Sequence, residues 1–186
     1  WIRGRDDSGQ IVHTQAVKLI NLQDELLETY LRREVGLFPP PGTTIARGFG
    51  TDGLPPEARR IRGRACYHGE LWIKPGTRRF RGSELTYLLP RLAMGLALSQ
   101  WAPDYMFGFM FPEHAFKGLS TREGYQHIGP TDWLLKQAGH PEAQEVWITW
   151  MSRADLGYLM ALSPKRLLRS IAASRAIQQP ALIAAE

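Results

Sequence analysis

An arginine-rich loop between two apolar segments is the first feature of this sequence that could do chemistry. The stretch "WIKPGTRRFRGSEL", residues 72–85, places three arginines beside Gly82 and Ser83, between a strand-like run and a long apolar helix. The start of a helix exposes unpaired backbone N–H groups and carries a partial positive charge. Glycine lets such a backbone approach an anion closely. The segment therefore predicts a phosphate or pyrophosphate site.

The loop matches neither of the two common phosphate-binding motifs. No Gly-Lys-Ser/Thr follows it, as a P-loop requires, and it lacks the three spaced glycines of a dinucleotide fingerprint. Taken alone, it is also compatible with an ordinary strand–helix connection that carries surface arginines.

The strand before this loop carries residues that can accept or donate protons. Side chains alternate along a strand, so Cys66, His68, Glu70 and Trp72 are expected to share one face. Cys66 is the one cysteine in the chain and is read as a small buried hydrophobe, because nothing nearby would activate its thiolate. The five histidines are scattered, and no cluster has metal-ligand spacing, so no metal site is predicted.

The elements that must position these groups follow from turn signals and hydrophobic periodicity. The prediction has a hairpin over residues 1–20, a helix over 22–31, and an irregular or lid-like insertion rich in proline and glycine. A strand ends near Lys74, and a helix kinked at Pro90 runs from about Ser83 to Trp101. The remaining predicted elements are a central strand in "DYMFGFMF", a short helix, a turn at Gly124 and a strand, a helix over 131–139, a strand in "EVWITWMSRADL" and a closing basic helix from Ser163.

In this order of elements the chain resembles the GNAT superfamily of acyl-CoA-dependent N-acyltransferases. "GELWIKP" is similar to the family's fourth strand, "RRFRGSEL" to its pyrophosphate loop, "DYMFGFMF" to its fifth strand, "STREGYQHI" to its Tyr-x-x-x-Gly-Phe segment and "EVWITWM" to its last strand. The resemblance covers roughly residues 61–155 and rests on order and spacing. Glu84 stands where the family has glycine or alanine, and Ser120 replaces the usual tyrosine.

The resemblance implies the fold and the domain organisation. The fold class is α/β in the mixed α+β sense, with a GNAT-like central mixed sheet flanked by helices and an insertion between the third and fourth strands. We expect a single acyltransferase-like domain over residues 1–186, with 21–62 as the insertion and 156–186 as a helical extension.

The resemblance also implies direct attack of an amine on an acyl-CoA thioester, with acetyl or another short acyl group transferred. Glu70 is the first candidate for general base, and His68 could act in its place or through a water molecule. Tyr125 is the nearest candidate to protonate the leaving thiolate, and His114 is a candidate acceptor contact. The residues expected to bind acyl-CoA, a co-substrate used without a metal, are Trp72, Ile73, Lys74, Arg78, Arg79, Phe80, Arg81, Gly82, Ser83 and Glu84.

Composition leaves other functions open. The formal net charge is +5, and Arg59, Arg60, Arg62 and Arg64 form a second basic group, so a nucleic-acid-binding domain is an alternative, although not the favoured one. A catalytically decayed CoA-binding regulatory domain is another. The single cysteine and the lack of a long apolar run favour a cytoplasmic protein that binds no membrane. A homodimer is left open. Because the sequence begins at Trp1, we expect either processing or a piece of a longer protein.

Overall fold

The computed structural model describes residues 1–34, 42–48, 50, 53–75, 85–163, 165–166 and 168–169. Its strands are β1 (Ile2–Arg5), β2 (Ile11–Asn21), β3 (Thr43–Arg47), β4 (Arg64–Ile73), β5 (Tyr105–Met110), β6 (His127–Gln137) and β7 (Ala143–Ser152). Its α-helices are α1 (Leu27–Glu34), α2 (Leu85–Trp101), α3 (Pro112–Phe116), α4 (Leu119–Glu123) and α5 (Arg153–Ala161). A short 3₁₀ turn covers Ala58–Arg60.

The described strands form one seven-stranded sheet in the order β1-β2-β4-β5-β7-β6-β3. β4 and β5 are parallel, whereas all other neighbouring strands are antiparallel. The long helix α2 connects the two parallel strands, as a parallel pair requires a crossover. The predicted mixed α+β class, with a central mixed sheet flanked by helices, is confirmed.

Each face of the sheet carries its own hydrophobic cluster. On the face covered by α1, Leu27 and Leu31 pack with Phe107, Trp133 and Ile148. On the face covered by α2 and α5, the cluster contains Cys66, Met94, Met106, Met151 and Leu156. The alternation of side chains along β5 explains this division, since Met106 faces α2 and Phe107 faces α1. The sheet is thus buried on both sides at its centre, where the site is found.

The predicted helix over 131–139 is wrong, because residues 131–137 form the second half of β6. Thr131, Trp133 and Leu135 are buried, while Asp132 and Leu134 between them are only partly buried, so the burial period is two. β6 pairs with β7 on one side and with β3 on the other. This pairing on both edges overrides the helical appearance of the Leu-Leu-Lys-Gln-Ala run.

The predicted irregular insertion is also wrong in part, since it contributes structure to the domain. Its residues 43–47 form β3, the edge strand beside β6, whereas the helix predicted over 22–31 is present as α1 (Leu27–Glu34). Asp132 fixes the segment that follows: its Oδ2 accepts a hydrogen bond of 2.8 Å from the Gly50 N–H, and its own N–H donates to the Gly53 carbonyl at 3.0 Å.

The strand predicted in "EVWITWMSRADL" ends earlier than expected. β7 stops at Ser152, whose hydroxyl and the Asp155 carboxylate form a reciprocal capping box that starts α5. The predicted closing helix from Ser163 lies mostly outside the described residues. Among the described helices, none is both long enough and apolar enough to cross a bilayer.

Candidate active site

The centre of the sheet splits where β4 and β5 separate. These parallel strands pair over three positions only, Ala65 with Tyr105, Cys66 with Met106 and Tyr67 with Phe107. Beyond this point β4 stays paired with β2 as far as Ile73, and β5 stays paired with β7 as far as Met110. The two half-sheets therefore enclose a V-shaped cleft of ≈ 850 Å³ whose inner edges are backbone. Such a volume suits a ligand of drug-like size.

The vertex of the cleft needs a glycine. A Cβ on Gly108 would lie 2.7 Å from the His68 backbone carbonyl oxygen, 3.3 Å from the Tyr125 hydroxyl and 3.6 Å from Thr149 Oγ1. Any side chain at this position would push the two strands apart. Gly108 thus lets β4 and β5 approach closely just before they separate.

A bulge in β4 forms one lip of the cleft. Between the pairs Ala16–Gly69 and Thr14–Trp72, β4 has one residue more than β2. Glu70 adopts a positive φ of 55°, which is unusual for a residue with a side chain. A one-residue bulge reverses the faces of the residues that follow it. The prediction that Trp72 shares a face with His68 is therefore wrong: Trp72 lies on the other face and is 43% exposed.

A chain of hydrogen bonds runs through the buried wall of the cleft on the α2 face. Gln15 Nε2 donates to the Leu89 carbonyl at 2.8 Å, so Gln15 Oε1 is turned towards His68 Nε2, 3.1 Å away. An amide oxygen only accepts, hence His68 Nε2 carries the proton. His68 Nδ1 is then the acceptor for the Tyr125 hydroxyl, 3.1 Å away. Both ring nitrogens of His68 are occupied in a single neutral tautomer.

Burial keeps the hydrogen-bonded side chains of His68 and Tyr125 uncharged. His68 is 4% exposed, and burial, with a smaller effect of the nearby His13, lowers its pKa to about 4. Burial, together with the neighbouring Glu123 carboxyl, raises the pKa of Tyr125 well above its usual value. The predicted proton-transfer residues His68 and Tyr125 are therefore in contact, and both are neutral.

Glu123, which sequence reasoning missed, lines the same wall. It is 6% exposed at the end of α4, and burial raises its pKa to about 7, with Arg122 opposing the shift. Arg91 of α2 holds this turn by donating to the Arg122 carbonyl at 2.7 Å. Gly124 ends α4 with a φ of 103°, and a Cβ there would lie 2.8 Å from Leu159. Charge patterning alone offered no signal, because "TREGY" resembles an ordinary helix end.

The structure places the other predicted residues as follows. Glu70 and Ile73 line the cleft, and His114 lies at its rim. The Lys74 N–H donates to the Val12 carbonyl at 2.9 Å and is used inside the sheet. Because N–H groups alternate along a strand, the Ile73 N–H points away from β2 and towards the cleft.

The arginine loop, Cys66 and Ser120 are the remaining positions that the sequence singled out. The predicted cofactor residues Arg78, Arg79, Phe80, Arg81, Gly82, Ser83 and Glu84 lie outside the described residues. Cys66 is fully buried, and burial raises the pKa of its thiol to about 11, so it is a packed thiol rather than a thiolate. Ser120, at the position of the family's tyrosine, is buried as well. Within the described ranges, no three His, Cys, Asp or Glu side chains are arranged to hold a metal ion.

Comparison with known proteins gives a weak structural likeness. No family model matches the sequence, and no curated protein is significantly similar to it. A solved structure of BjaI, a CoA-dependent acyl-homoserine lactone synthase with SAM and isopentyl-CoA, has a TM-score of 0.40 and 12% sequence identity. The match covers 82% of this chain but only 59% of that one.

Proposed function

We propose that this protein is an acyltransferase that moves an acyl group from acyl-CoA to an amine. The observation that carries the proposal is the separation of parallel strands β4 and β5 beside a buried chain of polar side chains. The inner edges of β4 and β5, which no longer pair with each other beyond Tyr67 and Phe107, can hold an extended, amide-containing arm, and the polar wall can accept and donate protons. The resemblance of residues 61–155 to the GNAT superfamily supports the same reading.

The reaction needs three events at the vertex of the cleft. The amine nitrogen attacks the thioester carbon and forms the N–C bond, the C–S bond breaks, and the thiolate leaves with the bonding electrons. The Ile73 N–H points towards the cleft and can stabilise the negative charge on the thioester oxygen. The nitrogen gives up a proton, and the thiolate takes one up. Holding both substrates in one cleft supplies much of the acceleration.

Glu123 is the better candidate to accept the proton. A general base works best with a pKa near the working pH, and burial raises the pKa of Glu123 to about 7. Glu70 is exposed at the bulge and remains the alternative that sequence reasoning favoured. His68 has no free lone pair, because Nδ1 accepts from Tyr125 and Nε2 carries a proton. We therefore assign His68 and Tyr125 to positioning the wall, with the Tyr125 hydroxyl as the nearest proton source for the thiolate.

The arginine loop, residues 78–84, is proposed to bind the CoA pyrophosphate. It directly precedes α2 in the chain, and α2 covers the face of the sheet that carries the polar wall. An amine acceptor, a cytoplasmic location and the GNAT-like reading belong to the same proposal. The resemblance favours an acetyl or other short acyl group, whereas the proposed transfer itself specifies no chain length.

Binding of acyl-CoA tests the proposal first. Calorimetry with acetyl-CoA and octanoyl-CoA should give micromolar or tighter affinity, whereas a short duplex RNA should bind weakly and in a salt-dependent way. Gly82→Leu should abolish binding of acyl-CoA, and Gly157→Leu, at an exposed position of α5, should not. Binding of RNA without binding of any acyl-CoA would contradict the proposal. Binding of acyl-CoA without thiol release from any amine would favour the regulatory alternative.

A further inference from the structure

The wall of the cleft on the α1 face is aromatic and rigid. Four rings form a continuous series: Tyr67 lies 5.7 Å from Phe107 and 6.2 Å from Phe109, and Phe109 lies 5.3 Å from Trp133 in an edge-to-face contact. Edge-to-face contacts of this kind hold the rings in place. We call the space lined by these four residues the aromatic chamber.

Aliphatic side chains close the aromatic chamber. Leu31 of α1, Leu135 of β6 and Val146 of β7 line it, and all three are buried. Lys18 and Glu34 are charged groups that the described residues contribute on this side of the cleft, and Glu70 acts electrostatically on the Tyr67 hydroxyl; none of the three is buried. The chamber is thus a pre-formed apolar space that continues from the vertex of the cleft, on the face opposite Glu123 and His68.

The orientation of a bound acyl-CoA follows from the difference between the two faces of the sheet, polar side chains on the α2 face and the aromatic chamber on the α1 face. If the phosphates of CoA lie beside Leu85, where the described part of α2 begins, the arm of CoA reaches the vertex from the α2 face. The thioester then lies between β4 and β5, and the acyl chain attached to its carbon continues through the opening towards the α1 face. A polar acceptor amine stays beside Glu123, on the polar wall.

We propose that the aromatic chamber binds the acyl chain, and that the transferred group is a hydrophobic acyl group of several carbons rather than acetyl. This inference rests on the proposed acyl transfer. A single methyl group would leave most of the apolar space without contacts. A longer chain would displace poorly held water from apolar walls, which favours binding.

The test is a series of acyl-CoA ligands that differ in chain length alone. Calorimetry with CoA, acetyl-, butyryl-, hexanoyl- and octanoyl-CoA needs no knowledge of the acceptor. Each added methylene that enters the chamber should tighten binding by about three- to fourfold, until the chamber is full.

Two substitutions show where the chain lies. Val146→Phe narrows the aromatic chamber and should remove the gain from butyryl- to octanoyl-CoA while leaving CoA affinity unchanged. Val17→Phe makes the same change on the opposite face of the sheet, where Val17 packs with the α2 cluster, and should keep the full gain. Phe109→Ala widens the chamber and should move the preferred length upwards, which provides a second measurement if the narrowed variant folds poorly.

The outcomes separate this inference from the proposed function. A gain with chain length that Val146→Phe removes and Val17→Phe keeps would support it. Equal affinity for CoA and all its acyl derivatives would overturn it and leave acyl transfer standing, with the chamber assigned to the acceptor. A gain that survives Val146→Phe would overturn it as well. No binding of any CoA compound would overturn both.

Discussion

The hydroxyl oxygen of Tyr125 lies 3.1 Å from His68 Nδ1, and this hydrogen bond joins the two half-sheets across the point where they separate. His68 belongs to β4, in the half that contains β1 and β2. Tyr125 precedes β6, in the half that contains β5, β7 and β3. The bond is buried, and Gln15 holds the other side of the imidazole, so the ring cannot turn without losing a partner.

Tyr125→Phe should destabilise the protein by about 1–3 kcal/mol, because it leaves His68 Nδ1 buried without a donor. Chemical denaturation measures this loss, and Tyr158→Phe, at an exposed tyrosine of α5, should change the stability little. If the hydroxyl only positions the wall, kcat falls less than tenfold. A loss of a hundredfold or more at unchanged KM would instead identify Tyr125 as the proton donor.

His68 should make folding sensitive to acid. Its pKa is about 4 when folded, below the ordinary 6.5, so the unfolded chain binds the extra proton first as the pH falls. Stability from this group is complete above pH 6.5 and is lost towards pH 4, by up to about 3 kcal/mol. The difference in unfolding free energy between wild type and His68→Gln, measured from pH 7 to pH 4.5, should shrink accordingly. His140→Gln, at an exposed histidine, should leave the profile of the wild type unchanged.

Glu123 should have the opposite effect on the pH dependence of stability, and Glu123→Gln should remove that effect. The folded pKa of about 7 lies above the ordinary 4.5, so the folded protein binds more protons between these values, and stability falls as the pH rises through them. The variant should gain up to about 3 kcal/mol over wild type between pH 4.5 and pH 8. Glu113→Gln, at an exposed glutamate, is the control. In the acyl-transfer assay, Glu123→Gln should lower kcat by roughly a hundredfold or more and remove the rise in rate near pH 7.

Gly108→Ala should destabilise the protein by about 1–3 kcal/mol, since its Cβ would meet the His68 carbonyl at 2.7 Å and backbone cannot give way cheaply. Gly157→Ala, inside α5 with open space around it, should be stabilising by about 0.5–1 kcal/mol. Thermal denaturation of the two variants should therefore shift the midpoint in opposite directions. Equal shifts would show that the vertex of the cleft is wider than described.

Glu70 offers a test of strain against function. Its φ of 55° favours glycine, so Glu70→Gly should stabilise the protein by roughly 1 kcal/mol, as should Ala102→Gly at a φ of 40° outside the cleft. Glu70→Gln should leave acyl-CoA affinity unchanged. If Glu70 rather than Glu123 accepts the proton, Glu70→Gln lowers the rate at neutral pH, and Glu123→Gln leaves it nearly unchanged.

The parts of the fold that sequence reasoning found are those with strong local signals. Asp7-Ser8-Gly9 predicted the first hairpin, the apolar run after Leu85 predicted α2, and "DYMFGFMF", apolar on both faces, predicted a central strand. The start of β6 was predicted as a strand, but its second half was not, because Leu134 and Leu135 fit a helical period as well as a strand, and only the neighbours β3 and β7 decide between the two.

The candidate site was predicted only in part, because its contacts also depend on residues far apart in the sequence. His68 and Tyr125 were named one by one, and their contact depends on a separation of 57 residues that no local pattern contains. The bulge at Glu70 escaped notice because it arises from a mismatch between two strands. Glu123 was missed because its raised pKa comes from burial, and burial is a property of the packed molecule.

The short contact between β4 and β5 has a thermodynamic consequence. Only three residue pairs of β4 and β5, as described, connect the two half-sheets by strand pairing. A molecule that lies along both inner edges would therefore add contacts between the half-sheets. Such a ligand binds the folded form alone, and at a hundredfold excess over Kd it would add about 2.7 kcal/mol to the free energy of unfolding. A substrate bound in this way would therefore raise the stability of the folded protein in addition to being its reactant.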